Sequence, residues 1–379
     1  MGDRARDLRF MRQAIVEARK GVGRTRPNPP VGAVVAGADG AVIGRGHHKK
    51  AGGPHAEVNA VAACGDADLS SATLYVTLEP CSTTGRTPPC TELVKARRFS
   101  RVVIGCTDPN PRHAGRGIDI LRSAGIEVTV GVLEDECREL IKPFASSMLR
   151  HRPHVTLKLA LTLDGKIADR AGTSKWITGA ASRSFVQRLR KEADAILVGS
   201  GTVIADDPQL TCRIKGAGTA AWRVAVDSRG RIPASSRLLT DARAAMTVVA
   251  TTADGAKRLA GKLPPASPVP IWTLPQDDGH ASLKALLERL TAELGVMELL
   301  CEGGGEIAGA LIKAGLVDRL VLFYAPVVLG DAGARPGFSG VNALLDAGRL
   351  RPSAMRLRKF GDDATLIMDL DGQPPAPAP

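Results

Sequence analysis

Aromatic residues, basic blocks and long apolar runs are all scarce in this sequence. Only 3% of its residues are Phe, Trp or Tyr, so it lacks the stacking platform that proteins binding single-stranded nucleic acid use. The net charge is +12, but the Lys and Arg residues are dispersed and form no block of five or more. We therefore expect no nucleic-acid partner and attribute the charge to a basic proteome or to anionic small substrates.

No stretch approaches the 18 or so apolar residues of a membrane span. The first residues, MGDRARDLRFMRQAIVEARKG, carry charge throughout and lack the apolar run of a secretory signal. The seven cysteines are an odd number, which argues against a disulfide framework in a chain without such a signal. These absences predict a cytoplasmic protein with no membrane partner, whose thiols are core residues or metal ligands.

The chain has 379 residues, enough for about two or three domains. Strand and helix patterns alternate up to residue 149, which predicts a mainly parallel sheet with helices on its faces. The break "RHRPH" follows, and a second α/β pattern begins after it. We therefore predict two different domains, 1–150 and 151–371, and a disordered Pro-rich tail, 372–379.

A histidine and a glutamate lie two residues apart in "GGPHAEVNAVAACG", at the predicted start of a helix. Alone, His55 and Glu57 favour a solvated first turn, where Glu is common. Downstream, "LEPCSTTGRTPPC" supplies Cys81 after a strand and Cys90 where the next helix should begin. His55, Cys81 and Cys90 predict a zinc site that leaves one tetrahedral position to water. Because H-x-E followed by P-C is the zinc deaminase signature, we expect Glu57 to be the catalytic proton carrier.

Other interpretations of these residues stay open from the sequence. Cys81 and Cys90 could be two buried thiols, and His47 or His48 could complete a closed structural zinc site. The remaining cysteines fall on apolar stretches and are expected in the core; they are Cys64, Cys106, Cys137, Cys212 and Cys301.

Longer strings make the resemblance specific. Nucleoside deaminases usually have two residues between the two cysteines, whereas eight separate them here. "RPNPPVGAVV", "EPCSTTGRTPPC" and "DPNPRHAGRGIDIL", followed by "LKLALTLDGKIA", "TVIADDPQLTCR" and "EGGGEIAGALI", closely resemble the bifunctional riboflavin biosynthesis deaminase/reductases over nearly the whole chain. The resemblance implies an N-terminal cytidine-deaminase-like α/β/α domain followed by a dihydrofolate-reductase-like α/β domain.

For the first domain, the resemblance implies zinc-dependent hydrolytic removal of the 2-amino group from a diamino-pyrimidinone that carries a phosphoribosylamino arm. Asn28, Asp108 and Asn110 would line the pyrimidine pocket, and Arg86 would meet the ribose phosphate, as a guanidinium suits. The asparagines could instead be turn formers, and Arg86 a solvated loop charge. Family members commonly carry His two residues after the first cysteine, and this chain has Thr83, so the resemblance does not supply that substrate contact.

For the second domain, the resemblance implies NADPH-dependent reduction of the ribosyl ring to the open ribityl chain. The implied cofactor contacts are Ala160, Trp176, Thr202, Asp206, Ser228, Gly304, Gly305, Glu306, Ile307, Ala308, Gly309 and Ala310. The implied substrate contacts are Ser174, Arg190, Leu210, Arg213 and Glu302, and the family commonly forms homo-oligomers.

The chemistry adds roles to these residues. Hydride attack needs a ring-opened carbon at C1′ with the phosphate held far from it, so Arg190 and Arg213 are expected to clamp phosphate. Glu302 or Asp206 would bind sugar hydroxyls. Lys158 is a candidate polar contact near the reacting sugar, or it merely caps a strand.

Three questions stay open from the sequence. Trp176 could be a core residue, and Arg229 or Arg231 could recognise the 2′-phosphate of NADPH. The triple glycine at 303–305 is not the dinucleotide fingerprint, although exposed amides at a helix start suit a pyrophosphate. A nucleobase or tRNA deaminase with a non-catalytic C-terminal domain is the alternative function.

Overall fold

The computed structural model describes residues 3–84, 88–216, 221–341, 350 and 352–370. The chain divides into two compact units, Met1–His151 and Arg152–Pro379, so the division lies one residue from the predicted boundary. The predicted tail, 372–379, lies outside the described residues. None of the helices in the described ranges has both the length and the apolar character needed to cross a membrane.

The first unit is built on a five-stranded sheet with strand order β2-β1-β3-β4-β5. Its elements are α1 (Asp3–Arg19), β1 (Gly32–Ala36), β2 (Val42–His47), α2 (Ala56–Ala62), β3 (Thr73–Leu78), α3 (Cys90–Ala96), β4 (Arg101–Cys106), α4 (Arg116–Ser123), β5 (Glu127–Val130) and α5 (Glu134–Arg150). Strands β3 to β5 are parallel, as predicted. Strand β1 is antiparallel to both of its neighbours, β2 and β3. For β2 the reason is local, because the short "GADG" turn can join only antiparallel strands.

Helices cover both faces of this sheet, because successive side chains of a strand point to opposite faces. Val34, Tyr75 and Val103 pack in one buried cluster with residues of α1 and α5. Val35 and Val76 pack in the other cluster, with residues of α2, α3 and α4. The unit is thus the three-layered α/β/α arrangement that the resemblance implied.

The second unit is built on a nine-stranded sheet with strand order β11-β10-β9-β8-β14-β6-β15-β18-β17. Its elements are β6 (His154–Leu161), β7 (Lys166–Ala168), α6 (Ala180–Glu192), β8 (Ala195–Gly199), α7 (Ser200–Asp206), β9 (Trp222–Val226), α8 (Arg237–Thr240), a 3-10 helix (Ala244–Met246), β10 (Thr247–Thr251), α9 (Ala253–Ala260), β11 (Ile271–Thr273), β12 (Gln276–Asp277), β13 (His280–Ala281), α10 (Leu283–Leu294), β14 (Glu298–Cys301), α11 (Gly305–Lys313), β15 (Arg319–Tyr324), β16 (Arg335–Pro336), β17 (Ala354–Phe360) and β18 (Asp363–Asp369).

The strands from β11 to β15 in this order are all parallel, and the terminal hairpin β17–β18 adds two antiparallel strands at one edge. The inner strands are buried on both faces; β8, for example, is buried at every residue from Ala195 to Gly199. Parallel strands place all their carboxyl ends at one edge of the sheet, where ligands of open α/β sheets bind.

Candidate active sites

The three predicted metal ligands converge in the first unit. His55 directly precedes α2, Cys81 follows β3, and Cys90 is the first residue of α3. The Nδ1 atom of His55 lies 3.5 Å from Sγ of Cys81 and 3.3 Å from Sγ of Cys90. A tetrahedral ion with bonds of about 2.0 to 2.3 Å separates its ligand atoms by roughly 3.5 Å. The spacing therefore fits zinc, and this is the one such cluster of His, Cys, Asp and Glu within the described residues.

Cys81 is prepared to act as a thiolate ligand. Hydrogen bonding from the Cys90 thiol, together with that from His55, lowers the pKa of Cys81 to about 4. The backbone N–H of Cys90 also donates to Sγ of Cys81, at 3.3 Å. Thiolates are the form in which cysteines bind metals, so the donor set matches the ion as well as the spacing does.

Glu57 is buried beside this cluster, in the first turn of α2, with 3% of its surface exposed. Burial, and then the negative charge of Cys81, raise the pKa of Glu57 to about 7. A carboxyl group that titrates near neutrality is suited to both taking up and releasing a proton. The interpretation of His55 and Glu57 as a solvated first turn is therefore wrong for Glu57.

His48 is not a fourth metal ligand, because both of its ring nitrogens are engaged elsewhere. Its Nδ1 lies 3.0 Å from the carbonyl oxygen of Pro54, and its Nε2 lies 3.0 Å from the amide nitrogen of Asn28. Since the carbonyl can only accept, Nδ1 carries the proton and Nε2 accepts from Asn28. The His48 ring also contacts the His55 ring edge-on. His47 instead faces Glu17, so a closed structural site with either histidine has no support.

Asp108 and Asn110 lie in the loop that follows β4. Each uses one side-chain oxygen within the loop: Asp108 Oδ1 accepts from the N–H of Asn110 at 2.8 Å, and Asn110 Oδ1 accepts from the N–H of Arg112 at 3.0 Å. Burial raises the pKa of Asp108, and the nearby Cys81 contributes to this rise. The loop is thus beside the metal ligands. Arg86 lies outside the described residues.

The predicted reductase residues gather at the carboxyl edge of the parallel strands in the second unit. Ala160 is near the end of β6, Thr202 follows β8, Ser228 follows β9 and Glu302 follows β14. A Cβ atom on Gly304 would lie 3.7 Å from Oγ1 of Thr202, so the glycine-rich turn and α7 approach each other closely.

Arg190 and Glu302 pair with each other. The guanidinium donates through Nε and Nη2 to the two carboxylate oxygens at 2.6 and 2.8 Å, and through Nη1 to the carbonyl oxygen of Thr211 at 2.9 Å. Burial opposes ionisation of Glu302, but Arg190 outweighs it and keeps the pKa of Glu302 below its usual value. Three of the five N–H groups of Arg190 are thus used within the protein, and its predicted role as a phosphate clamp stays a prediction.

Lys158 lies close to this pair. Burial lowers the pKa of Lys158, and the charge of Glu302 partly opposes the effect. Its Nζ lies 5.8 Å from the centre of the Phe323 ring. Lys158 sits inside strand β6, at residues 154–161, so it does not cap the strand end.

The predicted substrate segment around Leu210 is held in place by neighbouring residues. Leu210 is buried and has a φ of 48°, a left-handed conformation that non-glycine residues rarely adopt. The backbone N–H of Arg213 donates to Oε1 of Gln187 at 2.8 Å, and the Arg213 residue is exposed. Ser174 is partly buried, two residues before Trp176.

Trp176 is 70% exposed, so the interpretation of it as a core residue is wrong. The Arg183 guanidinium stacks 4.6 Å from the centre of its ring. The neighbouring Lys175 pairs with Asp206 at 3.2 Å. Two predicted cofactor residues, Trp176 and Asp206, are therefore near each other although thirty positions apart.

The residues of helix α11 predicted to contact the cofactor include three that pack against the rest of the protein. Cβ atoms on Gly305 and Gly309 would collide with the carbonyl oxygens of Pro336 and Ser339, so these glycines permit close packing of a neighbouring segment. Ala308 is fully buried in the core, and its N–H donates to Gly304 O. Gly305 and Gly309 carry no side chain and the Ala308 methyl group is buried, so a cofactor could contact these three residues only through their backbone, and that contact stays a prediction. The first-turn amides remain suitable for a phosphate.

Of the two arginines considered for the 2′-phosphate, Arg231 reaches the start of α7, where its Nη2 donates to Oγ of Ser200 at 3.1 Å. Arg229 is exposed, and its carbonyl accepts from Arg258.

Of the cysteines expected in the core, Cys64, Cys106, Cys137 and Cys301 are buried, whereas Cys212 is only partly buried.

Comparisons with known proteins agree with the division of the chain into two units. The cytidine and deoxycytidylate deaminase zinc-binding region matches residues 4–106, and the RibD C-terminal domain matches residues 153–366. The riboflavin biosynthesis protein RibD of Aquifex aeolicus is 41% identical, over 95% of this chain and 98% of its own. That of Escherichia coli is 37% identical, over 95% and 98% of the two chains.

Solved structures show the same likeness. A diaminohydroxyphosphoribosylaminopyrimidine deaminase/5-amino-6-(5-phosphoribosylamino)uracil reductase from Thermotoga maritima is 37% identical, with a TM-score of 0.85 over 97% of this chain and all of its own. Acinetobacter baumannii RibD is 36% identical, with a TM-score of 0.84 over 97% and 99% of the two chains. With both family models matched in order and full-length relatives above 30% identity, the chain belongs to the RibD family of bifunctional riboflavin biosynthesis deaminase/reductases.

Proposed function

We propose that the first unit hydrolytically deaminates 2,5-diamino-6-(5-phosphoribosylamino)pyrimidin-4(3H)-one with Glu57 as its catalytic residue. The second unit then reduces the ribosyl group of 5-amino-6-(5-phosphoribosylamino)uracil to ribityl with NADPH. The observation that carries this proposal is the convergence of His55, Cys81 and Cys90 next to a buried Glu57. A carboxyl group that does not ligate, beside zinc held by one His and two Cys, is the arrangement of the zinc deaminases.

In the deaminase, His55, Cys81 and Cys90 would hold zinc, which when bound would lower the pKa of a water molecule to near neutrality. Glu57 takes the proton of this water and delivers protons to the ring nitrogen and to the leaving ammonia. The C2–N bond breaks, a C2 carbonyl forms, and no oxidant is needed. Because Glu57 is enclosed, its proton is kept for this transfer and is not exchanged with bulk water.

The pyrimidine would be held by the amide and carboxyl groups around the metal ligands. The side-chain amide N–H of Asn28 donates a hydrogen bond to Nε2 of His48. Its Oδ1 is left to accept from a pyrimidine N–H group. Asn110 has its Oδ1 occupied within its loop, so its amide nitrogen is the group offered to the ring carbonyl. Asp108 completes the polar wall. The proposed phosphate contact is Arg86.

In the reductase, bound NADPH would supply the hydride for C1′ of the ring-opened sugar, with a proton from solvent balancing the reduction. The Arg190–Glu302 pair and Lys158 form a charged wall beside which the sugar hydroxyls and the imine nitrogen can be bound. Exposed Arg213 is the proposed phosphate contact. Among the described residues, its guanidinium forms no hydrogen bonds or ion pairs like those that hold the guanidinium of Arg190. Ser174 and Leu210 would complete the substrate site.

The cofactor would lie along the carboxyl edge, against Ala160, Trp176, Thr202, Asp206 and Ser228. Its pyrophosphate would meet the amides that begin α11, at Gly304, Gly305, Glu306 and Ile307, with Ala310 further along the helix. Arg231 is the better placed of the two arginines for the 2′-phosphate, because it reaches Ser200 at the start of α7.

We further propose a cytoplasmic homo-oligomer that acts on small phosphoribosyl pyrimidines and does not bind nucleic acid. A gel shift with tRNA at physiological salt tests the last point. Tight binding that weakens steeply with salt would contradict it and favour a nucleic-acid deaminase.

The test of the proposed function is a stepwise assay on the purified chain. We expect one zinc per chain, ammonia release from the diamino-pyrimidinone phosphate without NADPH, and NADPH oxidation only once deaminated product is present. Zinc without ammonia release would contradict the deaminase half and would implicate Thr83, which is exposed in the loop after Cys81. NADPH oxidation that does not require deamination would contradict the proposed order.

A further inference from the structure

Glu79 is a buried carboxylate held entirely by backbone amides. It directly follows β3, and 5% of its surface is exposed. Its Oε2 accepts from the N–H groups of Asp108 at 3.1 Å and Gly115 at 3.0 Å. Its Oε1 accepts from those of Gly117 at 2.8 Å and Ile118 at 3.4 Å. No basic side chain in the described ranges forms an ion pair with it, so these amides are what offsets the cost of burying its charge.

The backbone next to Glu79 also lies very close to the start of α4. A Cβ atom on Gly117 would collide with the carbonyl oxygen of Pro80 and would lie 3.2 Å from Oε1 of Glu79. Gly117 lies in the first turn of α4. The start of this helix therefore approaches the segment that leads to Cys81 more closely than any side chain would allow.

The loop that Glu79 contacts does not depend on it for its own turn. Asp108 and Asn110 already organise the loop through bonds to the N–H groups of Asn110 and Arg112. Glu79 accepts one hydrogen bond from this turn, from the N–H of Asp108, and three from the start of α4, from the N–H groups of Gly115, Gly117 and Ile118. These four bonds join the turn and the start of α4 to the segment carrying Cys81, two residues away. What they determine is where the turn lies relative to the metal ligands.

We propose that Glu79 is a positioning residue of the deaminase, which sets the distance between Cys81 and the turn of Asp108 and Asn110. The inference rests on the proposed function, in which that turn binds the pyrimidine. A misplaced turn would offer its polar groups to the ring at the wrong distance from Glu57. Displacements of about 1 Å can cost on the order of 100-fold in rate.

The first test is Glu79→Gln, in which the amide nitrogen repels two of the four N–H groups. We expect zinc to stay at one per chain, the deaminase KM to rise about tenfold, and the reductase to be unchanged. The matched control is Asp194→Asn. Asp194 is also buried and accepts from two backbone N–H groups, of Met297 and Glu298, but in the second unit; its replacement should leave the deaminase KM unchanged. A lowered melting temperature with an unchanged KM in Glu79→Gln would overturn the inference.

A double-mutant cycle with Asn110→Ala separates this inference from the proposed function. If Glu79 acts through the turn, the double variant should be little worse in deaminase kcat/KM than Asn110→Ala alone. Additive effects would show that Glu79 acts elsewhere. If Asn110→Ala itself has no effect, the proposed pyrimidine contact is wrong. An effect of Asn110→Ala without one of Glu79→Gln overturns only the positioning role.

Gly117→Ala is a second variant that leaves Glu79 in place. Ala normally favours a helix over Gly, but here its Cβ would push α4 away from Pro80. We expect the same rise in deaminase KM with zinc retained. This variant therefore tests the inference even if Glu79→Gln does not fold. An unchanged KM in Gly117→Ala would contradict the proposal.

Discussion

Arg190 and Glu302 are bound to each other by two parallel hydrogen bonds of 2.6 and 2.8 Å, although 112 positions separate them in the chain. The pair lies between α6 and the residue after β14, next to Lys158. A bidentate ion pair of this kind fixes the orientation of both side chains and also pairs their charges. Both residues were predicted to touch the substrate separately, and the structure shows that they form one group.

This pairing predicts that Arg190→Lys is not a conservative change. Lysine cannot donate two parallel bonds to a carboxylate or reach Thr211 at the same time. We expect the reductase kcat/KM to fall by about 10- to 100-fold, with the deaminase unaffected. Arg188→Lys, at an exposed position of the same helix, is the control and should be neutral. Equal activity of the two variants would show that the pair has no part in the reductase site.

Glu57→Gln should abolish deamination and leave zinc bound. The amide keeps the size of the side chain but cannot take up a proton, and proton transfer by a positioned group contributes about 100- to 10,000-fold. Ammonia release, zinc content and NADPH oxidation on the deaminated substrate should be measured on the same preparation. Loss of zinc from this variant would mean that Glu57 supports the metal site and that the assigned role is wrong.

Arg213→Ala should raise the reductase KM for substrate about tenfold or more, because a charged phosphate contact is lost. Its side chain is exposed, so the fold should tolerate the change. Lys215→Ala, two positions along and also exposed, tests whether any nearby positive charge suffices. Parallel losses of deaminase and reductase activity would indicate unfolding and remove the support for a phosphate role.

Removal of zinc with a chelator should stop ammonia release while NADPH oxidation on the deaminated substrate continues. The predicted ligands all lie in the first unit, between His55 and Cys90, and the predicted reductase residues all lie in the second. Thermal unfolding should also shift to lower temperature for the first unit, since an ion that binds the folded state stabilises it. A reductase that stops together with the deaminase would show that the two activities are not separable in this way.

Arg223 predicts a purely structural effect. Its side chain is fully buried and pairs with Asp241 through two bonds of 2.6 and 2.7 Å. Arg223→Met should lower the free energy of unfolding by about 3 kcal/mol, the lower end for a broken buried pair, because Asp241 is partly exposed and can be hydrated. Denaturant midpoints of this variant and of exposed Arg258→Met give the comparison. A midpoint equal to that of the control would contradict the prediction.

The sequence alone determined which residues would converge as candidate metal ligands, and most of the element order. The ligands could be predicted because H-x-E and P-C are short motifs, in which a strand end and a helix start fix the local geometry. Strands such as β3 (Thr73–Leu78) were predicted because a run of apolar residues between turn signals suffices. The pairing of β1 between β2 and β3 was not predicted, since periodicity says nothing about which strand pairs with which.

Only the tertiary structure decided which partners the charged and polar side chains have. Arg190 pairs with Glu302, a partner that no local pattern indicated. Glu79 had no assigned role, and it accepts from four backbone amides, of Asp108 and of the start of α4. Gly309 was expected to meet a cofactor, and it makes room for Ser339. Such contacts join segments far apart in the chain, and they arise when packing of the sheets and helices brings those segments together. A local pattern specifies what a residue can do, and the fold decides with which partner it does so.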